Sequence, residues 1–284
     1  MNKIFKKIYY VLPILLLSFI FAFSVNAKKV PQNTNTDILT IIDSDSELGL
    51  PDGFRIIKDL NISGSAQFTP PQLNNIKNKI NSQDLYIVDL RQESHGFINN
   101  IAISFYSPYK TLNKGFNSNE TFKKETSQLN NIKKDSLINL YNKKGDTIKK
   151  ITVTNVHSEE DLTKILNLKY IRFAVGDGHV PTQEAVDDFV EFILNNAENS
   201  FLHFHCKHGK GRTTTFMAMY NIMNNKENIS LDKILENQFN AGGINLSQSQ
   251  RHYKFLQGFY NYIKDNKSTN YKTSYSKWIK SISK

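Results

Sequence analysis

The sequence predicts an α/β fold, a central sheet flanked by helices, and three observations carry that reading. Residues 85–90 (LYIVDL) form a nearly continuous apolar run of strand length, as a buried parallel strand requires. Strand-like runs at 171–175 and 201–205 alternate with helical periodicity, which places helices on both faces of one sheet. Residues from about 99 to 154 break this texture: they are rich in Asn and Lys with short apolar pieces, and read as a small β-rich insert.

The elements follow in order. Residues 1–27 read as a secretory signal peptide, with Lys3, Lys6 and Lys7 ahead of an apolar stretch at 11–25 and small residues at Val25-Asn26-Ala27. That stretch is short for a membrane span, which takes about 20 residues. The expectation is export to a secreted, periplasmic or cell-surface location, with no stable span once the signal is removed. Residues 28–50 are polar, contain the run Asp43-Ser44-Asp45-Ser46-Glu47, and read as a leader without a packed face. One domain is expected over 51–284.

Within it, Thr69-Pro70-Pro71 offers a cap and first-turn prolines for a helix carrying Leu73, Ile76 and Ile80. In the insert, Lys143-Lys144-Gly145-Asp146 reads as a turn between 136–141 and 148–153, so hairpins are expected there rather than helices. Ser158 and Asp161 resemble a capping box. Val186, Phe189, Val190, Ile193 and Leu194 follow the spacing of an amphipathic helix. A further helix at 213–223 turns Phe216, Met217, Tyr220 and Met223 inward, and the last long helix buries His252, Phe255, Leu256, Phe259 and Ile263.

Between the strand at 201–205 and the helix at 213–223 lies His205-Cys206-Lys207-His208-Gly209-Lys210-Gly211-Arg212-Thr213, which holds the only cysteine of the chain. A single thiol in an exported protein is either a buried hydrophobe or reactive, and its neighbours favour reactivity. Gly209 and Gly211 permit a loop whose N–H groups converge on an anion at the start of the following helix. Those dipoles favour a thiolate at Cys206. Arg212 matches two phosphate oxygens at once, and the Thr213 hydroxyl can reach the sulfur. No metal or other cofactor is called for: one thiol with His205 and His208 is not a closed ligand set, and the G-x4-G-K-[ST] spacing of a nucleotide loop is missing.

H-C-x5-R-T is the signature of the protein-tyrosine-phosphatase superfamily, and HCKHGKGRTTTF resembles the loop of the PTP-like phytases, cysteine phosphatases acting on myo-inositol phosphates. GFRIIKDLNISGSAQF at 53–68, DLRQESHGFINN at 89–100 and YKTSYSKWIK at 271–280 look like that family too. The resemblance implies a phosphatase-type core with a small β-barrel-like insert at about 99–154. It also implies a general acid in a segment like T-D-H-x-x-P. Here the counterpart is Gly176-Asp177-Gly178-His179-Val180-Pro181, which keeps the Asp-to-Pro spacing but moves the histidine one place later. Asp177 is then the acid and His179 a substrate contact.

In that chemistry Cys206 attacks phosphorus, Asp177 protonates the leaving oxygen and then activates water, and Arg212 with the loop amides holds the equatorial oxygens. Lys207, His208 and Lys210 make the loop basic, and the formal net charge of +10 suits a polyanion. The expected partner is a small inositol polyphosphate, phytate first, rather than nucleic acid. Gly209, Gly211, Arg55, Arg91, His95 and Arg251 complete the candidate substrate-binding residues, with Arg91 and His95 open to a structural role beside Asp89 or Glu93. Rival readings are a secreted phosphotyrosine or phosphoinositide phosphatase, and a phosphate-binding module, though a pure binder needs no thiol.

Overall fold

A computed structural model describes residues 38–109 and 112–283, so the expected signal peptide at 1–27 lies outside the described residues. In chain order the strands are β1 (Leu39–Ser44), β2 (Arg55–Ile57), β3 (Ile62–Ser65), β4 (Leu85–Arg91), β5 (His95–Ile98), β6 (Ile101–Tyr106), β7 (Leu137–Tyr141), β8 (Thr147–Thr152), β9 (Val156–His157), β10 (Lys169–Val175) and β11 (Phe201–His205). The helices are α1 (Pro70–Ile80), α2 (Ser118–Asn130), α3 (Glu159–Ile165), α4 (Gln183–Asn196), α5 (Gly211–Met223), α6 (Leu231–Asn240), α7 (Gln250–Asn266) and α8 (Tyr275–Ile282).

Two sheets organise the chain. The first runs β10-β4-β11-β3-β2 and is parallel except at β2. The carboxyl ends of its three neighbouring strands β10, β4 and β11 therefore emerge side by side, the edge at which open α/β sheets take ligands. Helix α5 leaves that edge and runs through the core, with every residue from Arg212 to Met223 buried except Asn221. Such all-round burial needs an apolar or internally satisfied surface. Phe216 stacks on Phe173 and meets Phe189 edge-on, and its truncation to Ala would cost about 3–5 kcal/mol.

The second sheet runs β8-β7-β1-β6-β5-β9. This is the form the β-rich insert takes, and it recruits β1, β5 and β9 from outside 99–154. Two expectations are corrected here. The segment is not hairpins alone: α2 forms across 118–130, started by a capping box between Asn117 and Glu120, and it buries Thr121, Glu125 and Leu129. Nor is 28–50 a leader without a packed face throughout, because β1 pairs antiparallel with β6 and parallel with β7 and buries Ile41. Its polar residues obscured the strand; only one position of six is fully inside.

Helix α1 carries the capping box that its cap residue promised, Thr69 with Gln72. In α4, Leu194 is 41% exposed while Phe192 is buried, because Phe192 packs on Tyr86 and Phe173 of the sheet. In α7, Leu256, Phe259 and Ile263 are buried as their spacing predicts, whereas His252 and Phe255 are half-buried and Tyr262 joins the core. No helix among the described residues is long and apolar enough to cross a membrane.

Candidate active site

The end of β11 delivers Cys206, and the first turn of α5 delivers Arg212 and Thr213. Between them the loop doubles back at Gly209, where φ is +66° and a Cβ would stand 2.4 Å from the Ala66 nitrogen. Only glycine fits both the left-handed backbone and that approach. Gly211 has no such requirement: a Cβ there meets nothing nearer than His252 at 3.8 Å.

Cys206 is buried, with 3% of its surface exposed. Burial pushes the thiol up, but Arg212 and hydrogen bonds from the Thr213 hydroxyl and the Thr213 and His208 amides outweigh it and bring the thiol below its ordinary range. The Thr213 hydroxyl donates to Sγ at 3.2 Å. The dipole of α5 acts in the same direction. A thiol shifted in this direction gains thiolate character, the form in which sulfur is nucleophilic.

Arg212 is fixed on several sides. Nη1 and Nη2 form a bidentate pair with Glu93 at 2.7 and 2.9 Å, Nη1 also donates to the Val175 carbonyl at 3.0 Å, and Nη2 reaches Asp177 Oδ1 at 3.3 Å. Glu93 lies just beyond β4. Burial pushes its carboxyl up, but Arg212 and Arg91 hold it well below the usual carboxylate range. Glu93 is thus the orienting partner of the guanidinium, a role the sequence reading assigned to no residue.

Asp177 follows β10 on the loop 176–181. Gly178 takes φ +74°, so the glycine that displaces the histidine also makes the turn that presents Asp177 beside Arg212. His179 is exposed and its Nδ1 lies 3.0 Å from the Asp177 carbonyl oxygen. Arg251 of α7 donates to the Gly178 carbonyl at 3.0 Å, which ties this loop to the helix behind it.

Three of the expected substrate contacts are engaged by the scaffold, the structural role that the sequence reading had left open for Arg91 and His95. Arg55 donates to the Gly53 and Gly209 carbonyls, both at 3.0 Å, and to the Thr214 hydroxyl at 3.2 Å, bracing the loop from behind. Burial lowers its pKa to about 10. Arg91 is wholly buried and donates to Asp43 at 2.9 Å, Glu93 at 3.1 Å, Gln67 at 2.6 Å and Ser104 at 2.6 Å. His95 is wholly buried, its ring within 3.5 Å of Asp89 and 3.3 Å of Glu125 and Glu159.

His95 belongs to a charged layer beneath the loop. Asp89 accepts from the Arg91 amide at 2.8 Å, from the Tyr170 hydroxyl at 2.8 Å and from Arg172 Nε. Arg172 also grips both oxygens of Glu125, at 3.0 and 2.9 Å. Glu159 Oε1 lies 2.6 Å from Nε2 of His205, the residue before Cys206. Burial lowers the His95 pKa, but the carboxylates of Asp89, Glu125 and Glu159 more than reverse that. Among the described residues, Asp89, His95 and Glu159 are close enough to share a metal ion. Arg172 and Tyr170 already occupy Asp89, so the set is better satisfied as an ion-paired layer.

The basic rim differs from its expected form. The Lys207 ammonium is bound to Asp43 of β1. Partial burial, with Lys143 and Lys207 nearby, lowers the His208 pKa. Lys210 is exposed at the start of α5, and Lys143, from the β7–β8 turn, joins it at the rim near Lys207 and His208. Sequence reading missed Lys143 because only the folding of the second sheet against the first brings it there.

Beside Asp177 and Glu93 opens a cavity of about 500 Å3 whose walls include Ile41, Phe105, Tyr106, Val175 and Val180, with Lys143 and Lys207 at its edge.

Comparisons with known proteins agree with this geometry. A family model described as "PTPlike_phytase: Inositol hexakisphosphate" matches residues 88–224. The chain is 30% identical to the tandemly repeated protein tyrosine phosphatase like phytase of Mitsuokella multacida, with a TM-score of 0.76 over 85% of this chain and 48% of that one. It is 27% identical to a PTP-like phytase from Bdellovibrio bacteriovorus, with a TM-score of 0.73 over 86% of this chain and 95% of that one. It is 26% identical to effector protein hopD2 of Pseudomonas syringae pv. tomato over 75% of this chain and 50% of that protein. The chain thus spans about half the length of the hopD2 and Mitsuokella relatives.

Proposed function

Because the chain belongs to the PTP-like phytase family, we propose that it is an exported cysteine phosphatase hydrolysing phosphomonoesters of myo-inositol polyphosphates, phytate first. One observation carries the reading: a thiol with a lowered pKa, a guanidinium clamped by Glu93 and the Asp177 carboxylate meet at one sheet edge. Cys206 attacks phosphorus and forms a phosphocysteine while Asp177 protonates the departing alkoxide. Water then attacks the phosphocysteine, Asp177 takes its proton, and the sulfur leaves as a thiolate that Thr213 receives. Arg212 and the loop amides hold the three equatorial oxygens throughout both steps.

A solved relative from Mitsuokella multacida, 29% identical, is a PTP-like myo-inositol phosphatase in complex with myo-inositol-(1,3,4,5)-tetrakisphosphate, which supports the substrate class. Export rests on the signal-like pattern of residues 1–27, and a relative whose name is that of an effector is in keeping with it.

A second reading, hydrolysis of an aryl or lipid-linked phosphate such as phosphotyrosine or a phosphoinositide, is favoured by the apolar walls of the cavity beside Asp177. Comparing kcat/KM for phytate and for phosphotyrosine peptides across a salt series separates the two. The inositol-phosphate reading expects phytate to lead at low salt and its lead to narrow as screening grows. Phosphotyrosine peptides leading at every salt concentration would transfer the site to the second reading.

A further inference from the structure

Among the described residues, the negative side chain in contact with the Lys207 ammonium is Asp43, and it arrives from outside the loop. Its side chain is wholly buried, and its two oxygens serve different partners: Oδ1 takes Lys207, while Oδ2 takes Arg91 at 2.9 Å and the Ser104 hydroxyl. Burial pushes this carboxyl up, but Arg91 and Lys207 more than offset that and keep it ionised. Lys207 follows Cys206 directly and lines the same cavity as Glu93 and Asp177, so its charge lies within screened reach of a phosphate held in the loop. From Lys207 the charges alternate through Asp43, Arg91 and Glu93 to Arg212. An uncompensated Lys207 would add to Arg212 and the loop amides in holding an anion, product phosphate included.

We propose that Asp43 is a positioning residue that neutralises Lys207 and thereby limits how tightly the catalytic loop retains phosphate. The inference rests on the phosphatase reading above. It gives the residues ahead of 51 a function: they carry β1, and β1 carries the counter-charge. It also distinguishes the two rim lysines near the cavity. Lys207 is held by a carboxylate, whereas Lys143 has no ion pair among the described residues, so Lys143 is the one whose charge an incoming polyanion meets.

The test is calorimetric titration of the full chain with inorganic phosphate, paired with product inhibition of aryl phosphate turnover. Asp43→Asn is expected to bind phosphate about five-fold more tightly, the scale of one unmasked and partly screened charge, with product inhibition strengthened in parallel. A merely structural loss at this position would weaken binding instead. Asp43→Glu should restore wild-type affinity. Lys207→Gln should change affinity by about two-fold or less with Asp43 present, and should cancel the gain in the Asp43→Asn background. Folded Asp43→Asn protein binding phosphate no more tightly than wild type would overturn the proposal. Should Asp43→Asn fail to fold, a ten-fold loss in Lys207→Gln alone would overturn it, because that charge would then be acting unneutralised. Failure of the wild-type chain to bind phosphate would remove the phosphatase reading itself, an outcome distinct from equal binding by wild type and Asp43→Asn.

Discussion

The loop 206–212 and the charged layer beneath it are both built to hold ions, yet they are assembled in different ways. Within the loop, five residues separate thiol and guanidinium, and the two converge because a strand ends and a helix begins there. Backbone amides, Gly209 and the dipole of α5 do most of the work locally. In the layer beneath, Asp43, Arg91, Glu93, Glu125, Glu159 and Arg172 come from segments up to about 130 positions apart, and each is held by polar or charged side chains that the fold brings to it. A loop of the first kind can be recognised from a string of letters. The second kind must be folded to be seen, since a buried charge is tolerable only beside its partners.

Five substitutions press on that contrast. The largest effect is expected for Cys206→Ser, which keeps the amides and Arg212 but replaces the thiolate with a weak nucleophile. Turnover should fall on the order of 10^4-fold or more, while phosphate binding stays within a few-fold of wild type. Turnover near the wild-type level would remove the nucleophile assignment, and loss of phosphate binding would show that the loop does not hold anions independently of its sulfur.

Next comes Asp177→Asn, read on two leaving groups. An inositol alkoxide needs protonation and a nitrophenolate does not, so the loss should be about 10^2–10^3-fold on phytate and under about ten-fold on p-nitrophenyl phosphate. Equal losses on both substrates would reassign the acid.

Glu93→Gln moves the test into the buried layer. It breaks one arm of the Arg212 clamp, and a displaced guanidinium should lower kcat on any phosphomonoester by about 10–100-fold. It should also change the acid limb of stability. Glu93 has its folded pKa lowered, so its contribution is fully present above the ordinary glutamate range, about pH 4.3, and fades as pH falls through the folded value. Thermal melts from pH 6 down to 3 should therefore fall less steeply in Glu93→Gln than in wild type. Parallel curves would mean that the carboxylate is not selectively stabilised by folding.

The smallest effect is expected at the rim. Lys143→Ala and Lys210→Ala should each cost about two- to five-fold in kcat/KM on phytate at low salt, less as salt rises, and almost nothing on an aryl phosphate. Loss on both substrates alike would place these lysines in the loop's architecture rather than in its recognition of extra phosphates.

How much of this was legible in advance follows the same division. The strands at 85–91, 169–175 and 201–205 announced themselves by runs of apolar residues, α1 by its cap, and the catalytic loop by its spacing, because each signal lies within one short window. Helix α2 did not, since its buried positions are Thr121, Glu125 and Leu129 and two of these are polar. Strand β1 did not either, because its single fully buried residue gives no alternation to read.

The sequence by itself determined the sheet-loop-helix unit that carries Cys206 and Arg212, since local backbone geometry and one helix terminus suffice to shape an anion site. Tertiary structure alone decided that Glu93 orients Arg212, that Asp43 neutralises Lys207, that Arg91 and His95 are scaffold, and that Lys143 reaches the rim. The physical reason is range. Hydrogen bonding and helix dipoles act within a turn or two of chain, whereas the fate of a buried charge depends on which distant partner the packed fold brings within about 3 Å.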